Sequence, residues 1–531
     1  MPKNVSLINQ FEDFLFTSPS RKTEEKLKIL LIAAEITPYA ERGGLSHAVG
    51  DLARALLRQG HDVRVFMAKF GVIDEDNYPS EMVCKGLKVP TDNEERPELI
   101  CNVKLHQSPS GLAVYFLENR EYFELRANVY GYSDDPTRWA LLSRGCLEFL
   151  SKHSEWIPDV IHSNDWHTGQ IPNWLRTAYD KSPKLFGVGS VFSIHNLQYQ
   201  GNFDHRNVPE LKMDDGRSPI ADLFSERLLW QNFLRRAIIY ADVIATVSKT
   251  YSKEILRPEY GECLEKLLLE VRSKLNGILN GIDYDELNPV TDKLLKTNYG
   301  IRTLDKRLEN KVALQEEFDL PVDKDIPVLG YVGRIDEQKG LDLLAEVLEP
   351  LLKDFNIQFV ILGGGDGGLT AMFRKLQNEF PQKVGAHLMY DPSLPRLFFS
   401  GSDMMLYPSR FEPCGIVPME GMRYGAVPIV RATGGLADTV EQFDPAENTG
   451  TGFVFQDFNA WSLFAQIIRA LEIYRQKEVW RGIQERAMTQ DNSWAVRAKE
   501  YVEVYRKAIH LRNKQLVEEE RVGEEREGEK V

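Results

Sequence analysis

No stretch of this 531-residue chain approaches the run of roughly 18 apolar residues that a membrane helix needs. The N-terminal MPKNVSLINQFEDFLFTSPSRKTEEK has no apolar leader core, and Glu12 and Asp13 argue against a transit peptide. It reads as a polar extension, and the cytoplasm is the expected location. Cysteine is scarce: Cys84, Cys101, Cys146, Cys263 and Cys414 are odd in number and never in C-x-x-C spacing. That excludes a disulfide framework or a zinc knuckle and fits a reducing compartment. No H-E-x-x-H occurs, and no catalytic metal is expected. Basic residues are outnumbered 65 to 79, for a net charge of -14, which excludes nucleic acid or an anionic membrane as the main partner. A local basic pocket remains open. Aromatics are nearly absent from the C-terminal QLVEEERVGEEREGEKV, which reads as a disordered or frayed tail.

Short apolar runs that alternate with helical periodicity are abundant. KILLIAAE, DVRVFMA, LAVYFLE, DVIHSN, SVFSIHN and DVIATVS read as strands in the first half. PVLGYVGRI, IQFVILGGG, AHLMY, DMMLYPS, VPIVRAT and GFVFQD do so in the second. Runs of Val, Ile and Leu bounded by Gly, Asp and Pro suit parallel strands covered on both faces by helices. The length asks for at least two domains. The pattern therefore predicts an α/β chain of two doubly wound, Rossmann-like domains. The seam falls in KLNGILNGIDYDELNP. The expected division is a polar extension (1–26), a first domain (27–279), a second (280–493), a helix returning to the first (494–512) and a charged tail (513–531). Ligands of such sheets bind beyond the carboxyl ends of the strands, so the cleft between the domains is the expected site.

Several strand ends carry candidate chemistry. Gly43 and Gly44 follow the first strand in AERGGLSHAV, and Gly434 and Gly435 follow a late one in VRATGGLADTV. Glycines placed between strand and helix let a backbone approach a ligand, and the helix amides attract an anion; a plain tight turn explains an isolated pair equally well. VILGGGDGGL is a further glycine-rich strand end. In GYVGRIDEQKGLDLL, Arg334 and Lys339 are two cations that could hold a diphosphate, one as a planar fork and one as a point charge. SRFEPCGIVPMEG places Glu412 and Glu420 eight apart. With a helix beginning near Gly415, Glu420 lies inside it and Glu412 in the loop before it, so the two acids could hold the hydroxyls of a sugar and a ribose. His162, Asp165 and His167 end one strand and His195 and Asn196 another, which points to a polar cleft wall.

DWHTG, HNLQYQG, ADVIATVS, LNGID, RIDEQKGLDL, SRFEPCG and TGGLADTV occur in one order over about residues 28–506. In this the chain resembles the bacterial glycogen synthases and plant starch synthases, which are retaining glucosyltransferases of the GT-B fold. The resemblance implies transfer of glucose from a nucleotide sugar, ADP-glucose in most members, to the non-reducing end of glycogen or another α-1,4-glucan, without a cofactor. Carried over by motif, Arg334 and Lys339 would neutralise the diphosphate, and Glu412 would hold the glucose. His195 would contact the sugar beside the reacting carbon. Asp165 would line the acceptor side with Asn196, and Asn280 would sit near the hinge. Arg42, Gly43, Gly44, Gly415, Glu420, Gly434 and Gly435 would form the donor site. Cys414 would be a packed residue of the Glu412 loop.

The first glycine loop departs from the family's K-x-G-G-L-x-D-V. Glu41 stands in place of the lysine and His47 in place of the aspartate. This leaves open a UDP-glucose or other donor, or a non-catalytic glucan-binding homologue. A carboxylate facing a phosphate is costly, so Glu41 is expected to turn away toward Arg42 or His47, with Arg42 taking the lysine's role.

Overall fold

The apolar runs become two sheets in the computed structural model, which describes residues 26–209 and 212–528. The first contains β1 (Lys28–Ile32), β2 (Asp62–Ala68), β3 (Ser80–Pro90), β4 (Glu98–Gln107), β5 (Ala113–Glu118), β6 (Val160–Asn164), β7 (Gly189–Ile194), β8 (Val243–Thr246) and β9 (Leu275–Gly277). Their order is β3-β4-β5-β2-β1-β6-β7-β8-β9. All neighbours are parallel except β3 with β4 and β4 with β5. The second contains β10 (Val328–Val332), β11 (Gln358–Leu362), β12 (Val384–His387), β13 (Met404–Tyr407), β14 (Val427–Arg431) and β15 (Phe453–Phe455). It is wholly parallel, in the order β12-β11-β10-β13-β14-β15.

Strands β1, β6, β7, β8, β11 and β13 are buried almost throughout, as expected of strands covered on both faces. The sequence reading missed the β3–β4 edge. There lysines and glutamates alternate with the apolar residues, and Cys84, Leu87, Val89, Leu99, Cys101, Val103 and His106 turn into the core. AHLMY is also corrected. The β12 ladder ends at His387, opposite Leu362, because β11 runs into the glycines that follow it. Tyr390 is therefore in a loop and 83% exposed.

Five helices position the site: α1 (Gly44–Arg58), α2 (Lys249–Glu254), α3 (Ile416–Arg423), α4 (Gly434–Thr439) and α5 (Trp494–Gly528). Each of the first four follows a strand, so their N-termini lie at the carboxyl edges of the two sheets.

The chain crosses between domains twice, side by side. The Ile282 amide donates to the Asn492 carbonyl at 2.9 Å. A Cβ at Gly281 would lie 2.4 Å from the Trp494 nitrogen, so only glycine fits this crossing. Helix α5 then returns to the first sheet. His162 Nδ1 lies 2.9 Å from the Tyr505 hydroxyl, and Trp494 Nε1 donates to Asp51 on α1 at 3.2 Å. The tail, expected to be disordered or frayed, prolongs α5 to Gly528, with charged residues that pair along it. Lys514 and Glu518 stand 3.8 Å apart, and Arg512 and Glu519 3.9 Å. Residues 1–25 of the extension and 529–531 of the tail lie outside the described residues.

Candidate active site in the interdomain cleft

The loop between β1 and α1 is organised by an acid inside it. Glu35 is buried and accepts the Arg42 amide at 2.5 Å, the Gly43 amide and the Tyr130 hydroxyl. Burial still holds its carboxyl above the usual range. The amides of Arg42 and Gly43, read as a ligand cradle, thus serve Glu35. At Gly44 the loop approaches the other domain: a Cβ there would be 4.0 Å from Ile416 Cδ1.

Glu41 does turn away, though not toward Arg42 or His47. It accepts the Thr37 hydroxyl one turn back, and among the described residues no ion pair joins it to either neighbour. The local reason is reach: Thr37 closes the turn that also bonds Ala40 to Ile36. The Arg42 side chain is exposed, and among the described residues its single hydrogen-bond partner is Asn128 Oδ1 at 3.4 Å. Burial raises the carboxyls of Glu35, Asp51 and, across the cleft, Glu420, and His47, also exposed, only partly offsets this.

Asp165 and His195 are brought together at the ends of β6 and β7. Asp165 adopts φ 55°, a strained value for a non-glycine residue. There its carboxylate accepts the His195 amide at 2.8 Å and that of Asn196. Burial pushes this carboxyl up to about 7, against those two amides. Burial lowers His195 to about 4, so its imidazole is neutral near pH 7. Asn164 donates its amide to the carbonyls of Ile32 and His162, at 3.1 and 3.2 Å. Asn164 Oδ1 therefore faces His195 Nε2, at 3.0 Å, which assigns the proton to Nε2 and a free lone pair to Nδ1.

The two other histidines are corrected. His162 is a core residue tying β6 to Ser193 and Tyr505, and His167 is buried against Trp166 and Tyr130. Burial lowers both to about 3, so neither forms part of a titrating cleft wall.

In the second domain Arg334 and Lys339 follow β10. Arg334, 57% exposed, reaches Asp336 and Gln338, each at 2.9 Å. Lys339 Nζ stands 2.5 Å from Glu412 Oε2, which also accepts the Ser409 hydroxyl at 3.2 Å. Gly415, at φ 77°, caps α3, and Glu420 lies within it, as the spacing predicts. Burial raises Glu420 to about 7, although Arg396 and His47 favour its charge. Burial likewise holds the Cys414 thiol up at about 12, so it is no nucleophile. The Asn280 amide points at that sulfur. Asn280 itself is buried at the crossing, its Oδ1 without a partner among the described residues.

Gly434 and Gly435 also make close contacts inside the protein. A Cβ at Gly434 would lie 1.9 Å from the Glu412 carbonyl oxygen, and one at Gly435 1.6 Å from that of Cys414. Both glycines exist so that α4 can press on the Glu412 loop. The Gly434 amide is also already engaged, by Glu254 of the first domain at 3.1 Å. The contact is reciprocal. Asp438 of α4 accepts the Thr250 amide at 2.8 Å and its hydroxyl at 2.6 Å, so α2 and α4 each cap the other's first turn. Glu254, Thr250 and Asp438 were missed, because in sequence they look like ordinary helix-surface residues.

Between the domains lies an open cavity of about 360 Å³. Asn196, Gln198 and Tyr260 line it from one side, and Arg410, Arg431 and Phe458 from the other. Both arginines lie over the Phe458 ring, at 4.2 and 5.7 Å.

Comparison with known proteins agrees with this architecture. Residues 28–270 match the starch synthase catalytic domain, and 314–485 match glycosyl transferases group 1. The chain is 40% identical over 491 residues to the glycogen synthase of Moorella thermoacetica, covering 92% of this chain and 98% of that one. It is also 40% identical over 490 residues to that of Thermotoga maritima, covering 91% and 99%. Among solved structures, the catalytic domain of starch synthase IV from Arabidopsis thaliana, bound to ADP and acarbose, superimposes with a TM-score of 0.80 at 30% identity. It covers 92% of this chain and all of that one. A sucrose-phosphate synthase from Thermosynechococcus elongatus shares the fold, with a TM-score of 0.56 at 18% identity over 91% and 99% of the chains.

Proposed function

Because the chain belongs to the glycogen and starch synthase family of GT-B glycosyltransferases, we propose that it transfers glucose from ADP-glucose to the non-reducing end of an α-1,4-glucan with retention of configuration. The observation that carries this reading is the Lys339–Glu412 pair at the mouth of β10. Donor entry would exchange partners: diphosphate oxygens take Lys339, and the released Glu412 carboxylate accepts hydroxyls of the glucose. Arg334, exposed on the same loop, adds a second charge to the leaving group. The ADP in the starch synthase IV structure supports an adenine diphosphate donor, and the family supports the glucan acceptor.

Retention normally asks for a carboxylate nucleophile beneath the sugar. Asp165 is held by two backbone amides, and Glu412 starts from its pair with Lys339. Front-face attack fits these residues better. As the bond from C1 to the diphosphate breaks, the departing oxygen takes the proton of the acceptor hydroxyl, whose oxygen bonds to C1 on the same face. Catalysis then rests on stabilising the leaving group and excluding water. Arg334 and Lys339 supply that stabilisation with no need for a metal or cofactor. The neutral imidazole of His195 offers a lone pair at Nδ1 to a sugar hydroxyl.

Four of the five cysteines are buried and none is in a disulfide, which suits a reducing cytoplasm. The test is incubation of the full chain with glycogen and, separately, ADP-glucose and UDP-glucose, following nucleotide release. Glycogen-dependent release from ADP-glucose is expected. Release from UDP-glucose alone would change the donor, and release from neither would overturn the reading.

A further inference from the structure

Among the described residues the Tyr407 hydroxyl is buried without a hydrogen-bond partner. Tyr407 is the last residue of β13, at the carboxyl edge of the second sheet, and is 5% exposed. Its side chain runs beneath α3. A Cβ at Gly421 would lie 3.8 Å from the Tyr407 hydroxyl oxygen and 3.7 Å from Met405, two residues back on the same strand face. Burying a polar group unpaired costs free energy, and such groups are rare in folded proteins. Burial holds this O–H protonated well above the usual tyrosine range, and the charges of Glu420 and then Glu412 add to that. The hydroxyl is therefore a hydrogen-bond donor that lacks an acceptor, with two carboxylates bearing on it.

The two acids differ in what they already hold. Glu412 takes Lys339 and the Ser409 hydroxyl. The Glu420 carboxylate, half-buried on α3 next to Gly421, has no hydrogen bond or ion pair among the described residues. Arg396, the cation that most favours its charge, pairs instead with Glu286 at 2.7 Å and stands 3.4 Å from Asp292. An unpaired O–H and an unpaired carboxylate thus occupy adjoining places under and on α3. A ribose has a vicinal diol that can donate to one side of a carboxylate, whose remaining lone pairs can take the tyrosine.

We propose that Tyr407 is a positioning residue for the nucleotide's ribose: its O–H fixes the Glu420 carboxylate in the orientation that receives the ribose diol. The inference rests on the reading that the sugar donor is a nucleoside diphosphate sugar. Tyr407→Phe deletes an O–H that bonds no described residue, so the fold loses no hydrogen bond with it. Calorimetry on the full chain compares ADP with 2′,3′-dideoxy-ADP, which lacks the diol. The wild type should bind ADP the more tightly. Tyr407→Phe should weaken ADP about tenfold, the effect of one hydrogen bond to a charged group, and leave the dideoxy nucleotide near wild type. In a Glu420→Ala background Tyr407→Phe should cause no further loss, because the tyrosine acts through the acid. Equal weakening of both nucleotides would make Tyr407 merely structural, and a full further loss in the Glu420→Ala background would make it a direct contact. Either result would overturn the proposal, as would unchanged ADP binding in Tyr407→Phe or a wild type that binds the two nucleotides alike. Nucleotide release distinguishes this from failure of the functional reading. A wild type that binds ADP through Tyr407 yet releases nucleotide from no sugar donor keeps the positioning role and loses the synthase assignment.

Discussion

Lys339 Nζ stands 2.5 Å from Glu412 Oε2, joining the cation assigned to a diphosphate to the acid assigned to a sugar. The two charges neutralise each other in this structure, and the proposed function has a donor separate them. Lys339→Ala and Arg334→Ala should each lower kcat by about 10²–10³, because the charge they face grows as the bond breaks. Glycogen binding should be unaffected. Near-normal turnover in both variants, measured by nucleotide release, would remove these residues from the mechanism.

Glu41 is held by Thr37, while Arg42 is the cation exposed beside the glycines. Arg42→Ala should therefore raise donor KM or lower kcat clearly more than Glu41→Ala, and Glu41→Lys should give only a small gain. The opposite ranking would favour a weakened site. So would activity created by Glu41→Lys with His47→Asp in a protein otherwise inert toward every donor.

The α2–α4 contact clamps the domains at the base of the cleft. Glu254→Ala and Asp438→Ala each remove a helix cap, a loss of about 1 kcal/mol apiece. Together they should open the ligand-free cleft, seen as a larger radius of gyration in small-angle scattering, with less opening in either single variant. An unchanged radius in the double variant would show that the contact does not hold the domains closed.

Asp165 gives a pH signature. Its carboxyl is raised from 3.8 to about 7 by burial, so between these values the folded state holds a proton that the unfolded chain releases. Its stabilising contribution is complete at low pH and is lost as pH rises through about 7. Asp165→Asn removes this dependence. The melting temperature of Asp165→Asn minus that of wild type should be more positive near pH 8 than near pH 5. A difference that does not vary with pH would contradict the buried carboxyl.

Legibility in the sequence followed burial. Strands such as KILLI and VIHSN are apolar throughout because both faces are covered, and the order of motifs revealed the two domains. The β3–β4 edge escaped because half of each strand meets water, and α5 ran past its expected end because charges can stabilise a helix without an apolar face. Lys339, Glu412 and His195 stood out as candidates from their places at strand ends and in motifs. The residues that organise the neighbouring loops and helix ends did not. Glu35, Glu254 and Asp438 act through contacts distant in sequence or across domains, for which single-chain spacing has no signature. The close approach of the TGGL glycines to the Glu412 loop was hidden for the same reason.

The most direct test of the central claim is to supply glycogen with ADP-glucose labelled in the sugar and digest the product with β-amylase, which releases maltose from α-1,4-linked non-reducing ends. Label recovered as maltose, and absent with Lys339→Ala, is the outcome expected of a retaining transfer powered by leaving-group stabilisation. Label that stays in a β-amylase-resistant linkage, or undiminished incorporation by Lys339→Ala, would contradict it.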